Sequence, residues 1–331
     1  MQQTPSFIGI DISKATLDIC VLQGKQRFHY VIPNEVAAIQ GFFSERTLPT
    51  PVYIGVENTG RYNWPLYAAM QQLHLPLYVI APLHLKKSLG LIRGKNDQID
   101  AARIAQFIKR HHPELQHSIL QRPVITQLQV LLTERQQLIK IKKQLTNSYS
   151  GYELLQDAAL LDKLTQKHVG LEATLMEQIK QIEQHIEELI ASDGALHEKA
   201  RWIQSVQGVG KVLCWNMLVK TNEFKNRTEP RKMACYAGVV PFKYSSGTSV
   251  RGKHKVSVYA DKALKTLLHL AAMSAIRRKG DLKAYYLRKV QEGKAKMSAL
   301  NAVRNKIIHR IFAIIKHQRP YQNDLNILEL S

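Results

Sequence analysis

The chain has 331 residues, 45% of them hydrophobic, and its 47 Lys and Arg against 26 Asp and Glu give a formal charge of +21. That balance excludes a disordered tail, leaves room for two domains or one large one, and points to a polyanionic partner. No window approaches the roughly 18 consecutive apolar residues of a membrane-crossing helix, so no membrane partner is expected, and Met1 to Ile10 lacks the layout of a signal peptide. Cys20, Cys214 and Cys235 stand far apart without a CxxC pair, which excludes a disulfide framework and a zinc knuckle and fits a reducing cytoplasm.

The chain opens with strand signals. Phe7 to Ile12 is a short apolar run, Leu17 to Leu22 follows a small polar turn, and Arg27 to Ile32 reads as the third strand of a meander. A helix is expected over Glu35 to Ser44, a buried strand over Val52 to Glu57, a helix over Trp64 to Leu73 and a strand over Leu77 to Ile80. Asp97 to Arg110 reads as a helix with apolar positions at Ile99, Ile104, Phe107 and Ile108. Three antiparallel strands followed by alternating helices and strands predict a mixed sheet covered by helices, of the RNase H-like kind.

From Val124 to Ile190 the texture changes. Leu128, Leu131, Leu132, Leu138, Ile141 and Leu145 recur at helical spacing, as do Leu171, Leu175, Ile179, Ile182, Ile186 and Leu189. Interruptions are expected at Gly151 and over Lys167 to Gly170, and the polar flanks predict a long antiparallel or dimerising coiled coil. Beyond Gly194, Gly208-Val209-Gly210-Lys211 runs into a helix over Val212 to Val219, the pattern of a helix-hairpin-helix, although a glycine turn between helices is also common without that role. Short and long helices are expected at Arg231 to Tyr236, Ala260 to Arg278 and Ser298 to His317, with a Gly, Ser and basic loop or hairpin over Ala237 to Ser257. The organisation expected is a domain over 1–112, a coiled-coil region over 113–198 and a mainly helical basic domain over 199–331.

Charge follows that division. The net is +5 over 1–110, −3 over 111–200 and +19 over 201–331. A strongly basic region with regular apolar periodicity reads as a footprint for a phosphate backbone, whose binding weakens steeply with salt.

Two constellations carry chemistry. Asp11 lies near the end of the first strand, Glu57 ends a later one, and Asp97 and Asp100 open a helix three residues apart on a shared face. Carboxylates at strand ends are costly to bury unless a cation answers them, and oxygen ligands without Cys or His nearby suit Mg²⁺ or Mn²⁺. Singly, each acid has a structural explanation: Asp97 as a helix cap, Asp100 as a first-turn residue, Glu57 as the partner of Arg61 or Arg93. Gly9 to Lys14 is also similar to the first phosphate loop of actin-like sugar kinases, but Ser13 and Lys14 stand where that loop needs glycine. The second constellation is Gly238 to Lys253, where Tyr244, Ser245 or Ser246 could offer a nucleophilic oxygen to a phosphodiester while Arg251 and Lys253 balance its charge.

Ile8-Gly9-Ile10-Asp11-Ile12-Ser13-Lys14, Gly55-Val56-Glu57-Asn58-Thr59-Gly60, Asn96-Asp97-Gln98-Ile99-Asp100-Ala101 and Ala237-Gly238-Val239-Val240-Pro241 to Ser246-Gly247 together resemble the transposases of insertion-sequence family 110. These are DEDD enzymes understood as bridge-RNA-guided DNA recombinases, and the likeness spans nearly the whole chain. It implies a RuvC-like domain, a coiled coil and a C-terminal transposase domain. It further implies that Asp11, Glu57, Asp97 and Asp100 are the metal-binding set and that Ser246 is the nucleophile forming a covalent phosphoserine link. The implied partners are double-stranded donor and target DNA, a guide RNA, and further copies of the chain in a dimer or tetramer with composite active sites. The rival expectations are a RuvC-type endonuclease that hydrolyses through metal-bound water, and a nucleic-acid-binding protein without catalysis.

Overall fold

The computed structural model describes residues 4–46, 48–88, 96–240, 245–246, 250–251 and 256–322. It divides into two compact units, 1–120 and 121–331.

In the first unit β1 (Ser6–Ile12), β2 (Thr16–Gln23) and β3 (Gln26–Pro33) form an antiparallel meander. The turn between β1 and β2 is tight because the Ser13 hydroxyl accepts from the Thr16 amide at 2.9 Å. After α1 (Val36–Ser44) the chain returns as β4 (Val52–Glu57), parallel to β1. After α2 (Trp64–Gln72) it adds β5 (Leu77–Ile80), parallel to β4. The sheet order is β3-β2-β1-β4-β5, the RNase H-like arrangement expected of the pattern. Two further helices, α3 (Pro82–Ser88) and α4 (Asp97–His111), complete the unit.

Alternation along the strands sends side chains to two different cores. Ile8, Ile10, Leu17, Ile19, Ile54 and Val56 pack with Ile39 and Phe42 of α1 and Leu66 and Met70 of α2. On the other face Phe7 meets Ile104 and Ile108 of α4, while Cys20 meets Ala101, Ala102 and Ala105. A sheet covered on both faces explains why β1 reads as an almost continuous apolar run broken by Asp11.

In the second unit α5 (Pro123–Tyr149) and α6 (Ala158–Ser192) form an antiparallel hairpin. The ion pairs Arg135–Glu183 at 2.6 Å and Lys142–Glu172 at 3.3 Å, with Tyr149 against Thr165 at 2.5 Å, run in opposite order along the two helices. Ile125, Leu128, Ile186 and Ile190 at its root join one core with α7 (Gly194–Ser205), α8 (Lys211–Thr221), α9 (Pro230–Tyr236), α10 (Lys262–Arg277), α11 (Asp281–Gln291) and α12 (Lys296–His317). Between α9 and α10 a two-residue ribbon pairs β6 (Ser245–Ser246) with β7 (Val250–Arg251).

Four readings of the sequence need correction. The interruption expected over Lys167 to Gly170 is absent, since α6 runs through it. One glycine in open space costs a helix about 1 kcal/mol, which the packing of a long helix outweighs. Ile99, Ile141 and Leu171, expected on apolar faces, are 40%, 45% and 55% exposed, because periodicity locates a stripe but not how far a partner covers it. The helices α3 and α11 were not expected. Both are short and lean on neighbours more than on their own periodicity.

Candidate functional site

Asp11 and Glu57 sit side by side because of strand register. β1 pairs with β4 in steps that end at Ile10 with Val56, so the next position on each strand is an acid. Each acid follows a glycine by two residues, Gly9 before Asp11 and Gly55 before Glu57, so glycine and acid share a face. Those glycines are where α4 lies against the sheet. A Cβ on Gly9 would stand 2.1 Å from the Ala101 carbonyl oxygen and 2.2 Å from the Ala105 nitrogen, and one on Gly55 would meet Ile108 at 2.3 Å. Close docking of α4 carries its first turn, with Asp97 and Asp100, toward the ends of β1 and β4.

The helix start is set locally. Asn96 is the cap, its side chain accepting from the Gln98 amide at 3.0 Å, so capping does not account for Asp97, the first helical residue. The end of β4 is held by buried Asn63, which donates to the Glu57 carbonyl at 2.9 Å and accepts from the Thr59 amide at 2.9 Å. This is the physical use of the Asn58-Thr59-Gly60 turn that follows Glu57.

The electrostatics show that the four acids share one field. Burial pushes the Asp11 carboxyl up to about 6, and Asp100, Asp97 and Glu57 each push it further in the same direction. Its hydrogen bond from the Ile12 amide at 3.1 Å opposes them without prevailing. Arg103 answers part of the negative charge through an ion pair to Asp100 at 2.6 Å. Sequence reading did not single out Arg103, although its spacing from Asp100 on one helical face was visible. Among the described residues no group of three or more His, Cys, Asp or Glu is arranged to hold a metal ion as it stands.

In the second unit Ser246 stands on β6, opposite Val250, with Ser245 opposite Arg251. Arg93, Tyr244 and Lys253 lie outside the described residues. Gly208 joins α7 to α8 with φ +87°, and a Cβ there would come 2.3 Å from the Ala271 carbonyl oxygen, so packing against α10 already demands glycine. Gly210 caps α8 with open space beside it, and Lys211 reaches Glu187 at 3.0 Å in an exposed pair of little energetic weight. Cys20, Cys214 and Cys235 are free thiols, and among the described residues no helix is long and apolar enough to cross a membrane.

Comparison with known proteins places this geometry. A DEDD transposase family model of the IS110 type matches residues 8–159, and the model described as "Transposase IS116/IS110/IS902 family" matches residues 200–287. The "Pilin gene-inverting protein" of Moraxella bovis is 25% identical over 97% of this chain and 99% of its own length. The "Transposase for insertion sequence element IS1111A" of Coxiella burnetii is 25% identical over 96% of this chain and 91% of its own. The likeness to T. thermophilus RuvC in complex with a Holliday junction substrate is weak, with TM-score 0.26 and 15% identity over 34% of this chain and 98% of that one.

Proposed function

Because the chain belongs to the IS110 family of transposases, we propose that it cuts and rejoins DNA strands of a mobile element, with Ser246 as nucleophile and Asp11, Glu57, Asp97 and Asp100 as holders of divalent metal. The observation that carries the reading is the Asp11 carboxyl, raised to about 6 by burial and by three neighbouring acids at the ends of parallel strands. Such repulsion is a cost that a bound cation removes, and an oxygen-only donor set fits Mg²⁺ or Mn²⁺. When bound, the ion supplies positive charge to a phosphate under attack.

The rest of the chemistry belongs to the chain. The Ser246 oxygen forms a bond to phosphorus, the bond to one deoxyribose oxygen breaks, and that oxygen leaves with a proton as a hydroxyl. The phosphoserine ester keeps the energy of the broken link, so the reverse attack rejoins DNA without a further energy source. Arg251 and Lys253 offset charge on the phosphate, while Gly208, Gly210 and Lys211, read as a helix-hairpin-helix, grip the DNA backbone. A relative named for inverting a gene must rejoin every strand that it breaks, which favours the covalent route over hydrolysis.

The partners are double-stranded donor and target DNA and a guide RNA, the latter resting on the family resemblance; the charge of +19 over 201–331 suits both. The acids and Ser246 fall in different units, and we assign the complete site to two protomers of a dimer or tetramer. The domains at 1–112 and 199–331 are then coupled through the coiled-coil region 113–198, whose Val169, Leu171 and Met176 are 61%, 55% and 53% exposed and suit a second copy.

Trapping tests the reading. Wild-type protein with Mg²⁺ and element-end DNA is expected to yield a denaturant-resistant protein–DNA adduct, and Ser246→Ala none. Robust strand cleavage by Ser246→Ala would replace this mechanism with hydrolysis. Unchanged activity in Asp11→Asn would remove the acids from the chemistry.

A further inference from the structure

A helix that lines a core carries charge only where something answers it. On α12, Leu300, Val303, Ile307 and Ile311 are buried, and Arg304 lies in the same stripe at 6% exposure. One of its terminal nitrogens meets His269 Nδ1 at 2.5 Å, and the other donates to Asn301 Oδ1 at 3.3 Å. Its Nε is buried with no partner. Both contacts are to neutral groups, since a ring nitrogen that accepts from a guanidinium carries no proton. Burial pushes Arg304 below its ordinary range, and no acid offsets it.

The acids of this region are committed elsewhere. Glu223 pairs with Arg122 and Lys199, Glu229 with Lys232, Asp261 with Lys220, Asp281 with Arg310 and Glu292 with Lys289. These are all the Asp and Glu among the described residues from 201 onward, and residues 241–256 contain neither.

The position of this cation is informative. Asn301 donates to the Val239 carbonyl at 2.6 Å, just where the segment bearing Ser246 departs. That segment returns at the same place, for a Cβ on Gly238 would touch the Ala260 Cβ at 2.6 Å and approach the Lys265 stem at 3.8 Å. Lys265 precedes His269 by one turn of α10. Arg304, His269 and Asn301 therefore stand at the base of the segment that presents the serine.

We propose that Arg304, oriented by His269 and Asn301, is a socket for a backbone phosphate of the DNA strand offered to Ser246, with Nε as the open donor. The proposal rests on the function argued above and adds a residue to it. A guanidinium already stripped of water binds a phosphate oxygen more strongly than a surface lysine does.

The test compares wild type, Arg304→Met and Arg304→Lys in binding a short labelled DNA duplex across a salt series, with an RNA duplex of equal length alongside. Arg304→Met is expected to bind DNA roughly tenfold more weakly, with a salt slope lower by about 0.9, the loss of one phosphate contact. Its melting temperature without DNA should equal or exceed that of wild type, because an unanswered buried charge has been removed. Arg304→Lys should keep most of the salt slope but lose affinity, since a point charge cannot reproduce the fork. DNA affinity and slope unchanged in either variant, or a loss confined to RNA, would overturn the socket while leaving the recombinase reading intact. Arg304→Met failing to fold while Arg304→Lys binds as wild type would do the same and make the arginine structural. A wild type that binds neither duplex would sink both readings.

Discussion

Asp11 is costly where it stands. A carboxyl held at about 6 instead of its ordinary 3.8 binds more protons in the folded than in the unfolded state between those values. Its penalty is therefore absent below about pH 4, grows as pH rises toward 6 and is fully present above it. Asp11→Asn should stabilise the metal-free protein by on the order of 1 kcal/mol at pH 7.5, discounted for the solvent on its open side, and by almost nothing at pH 4. Thermal melts at both pH values, with and without Mg²⁺, check this. The ion should raise the melting temperature of wild type and do little for the variant, whereas equal Mg²⁺ response in both would separate Asp11 from metal binding. The acids themselves were readable because a carboxylate inside an apolar strand breaks its pattern. Their sharing of one field was not, because Asp11 and Asp100 meet only after the sheet has formed and α4 has docked.

That docking belongs to the scale of elements. α4 can lie close on β1 and β4 only because Gly9 and Gly55 leave room, and with it come Asp97 and Asp100. Gly9→Ala would drive a methyl into helix backbone and should cost about 2–3 kcal/mol. Gly170→Ala on α6, beside open space, should instead gain about 0.5–1 kcal/mol. Urea titrations of the two variants measure the contrast, and a neutral Gly9→Ala would mean that α4 does not depend on this contact. Strand limits at Val52–Glu57 and Leu77–Ile80 were legible because both are short apolar runs with polar punctuation. The unbroken α6 was not, since a single glycine looks like a stop until its surroundings show that helix packing prevails.

Across the molecule, charge is partitioned and in one place buried. The Glu223 side chain is 1% exposed. Burial alone would raise its carboxyl, but Arg122 and Lys199 outweigh it and hold it at about 2. Arg122 precedes α5 and also holds Asp193, which joins α6 to α7, so this cluster clamps the root of the hairpin to the chain that follows α8. A depressed carboxyl contributes stability above its unfolded value near 4.5 and loses it as pH falls toward 2. Glu223→Gln should cost about 3 kcal/mol at pH 7 because it leaves Arg122 underpaired, and this loss should shrink below pH 4. Circular dichroism melts between pH 2 and 7 check this, and a constant difference across that range would refute the assignment.

Alternation, composition and motif order were enough to specify the RNase H-like sheet, the helical middle and the basic end of this chain, because strand period and helical period are local properties of consecutive residues. The pairing of Gly9 with Ala101, the uninterrupted α6 and the unanswered Arg304 depend on residues far apart in the chain. Burial, field and close contact are properties of neighbours in space, so they came into view only when the folded chain brought those residues together.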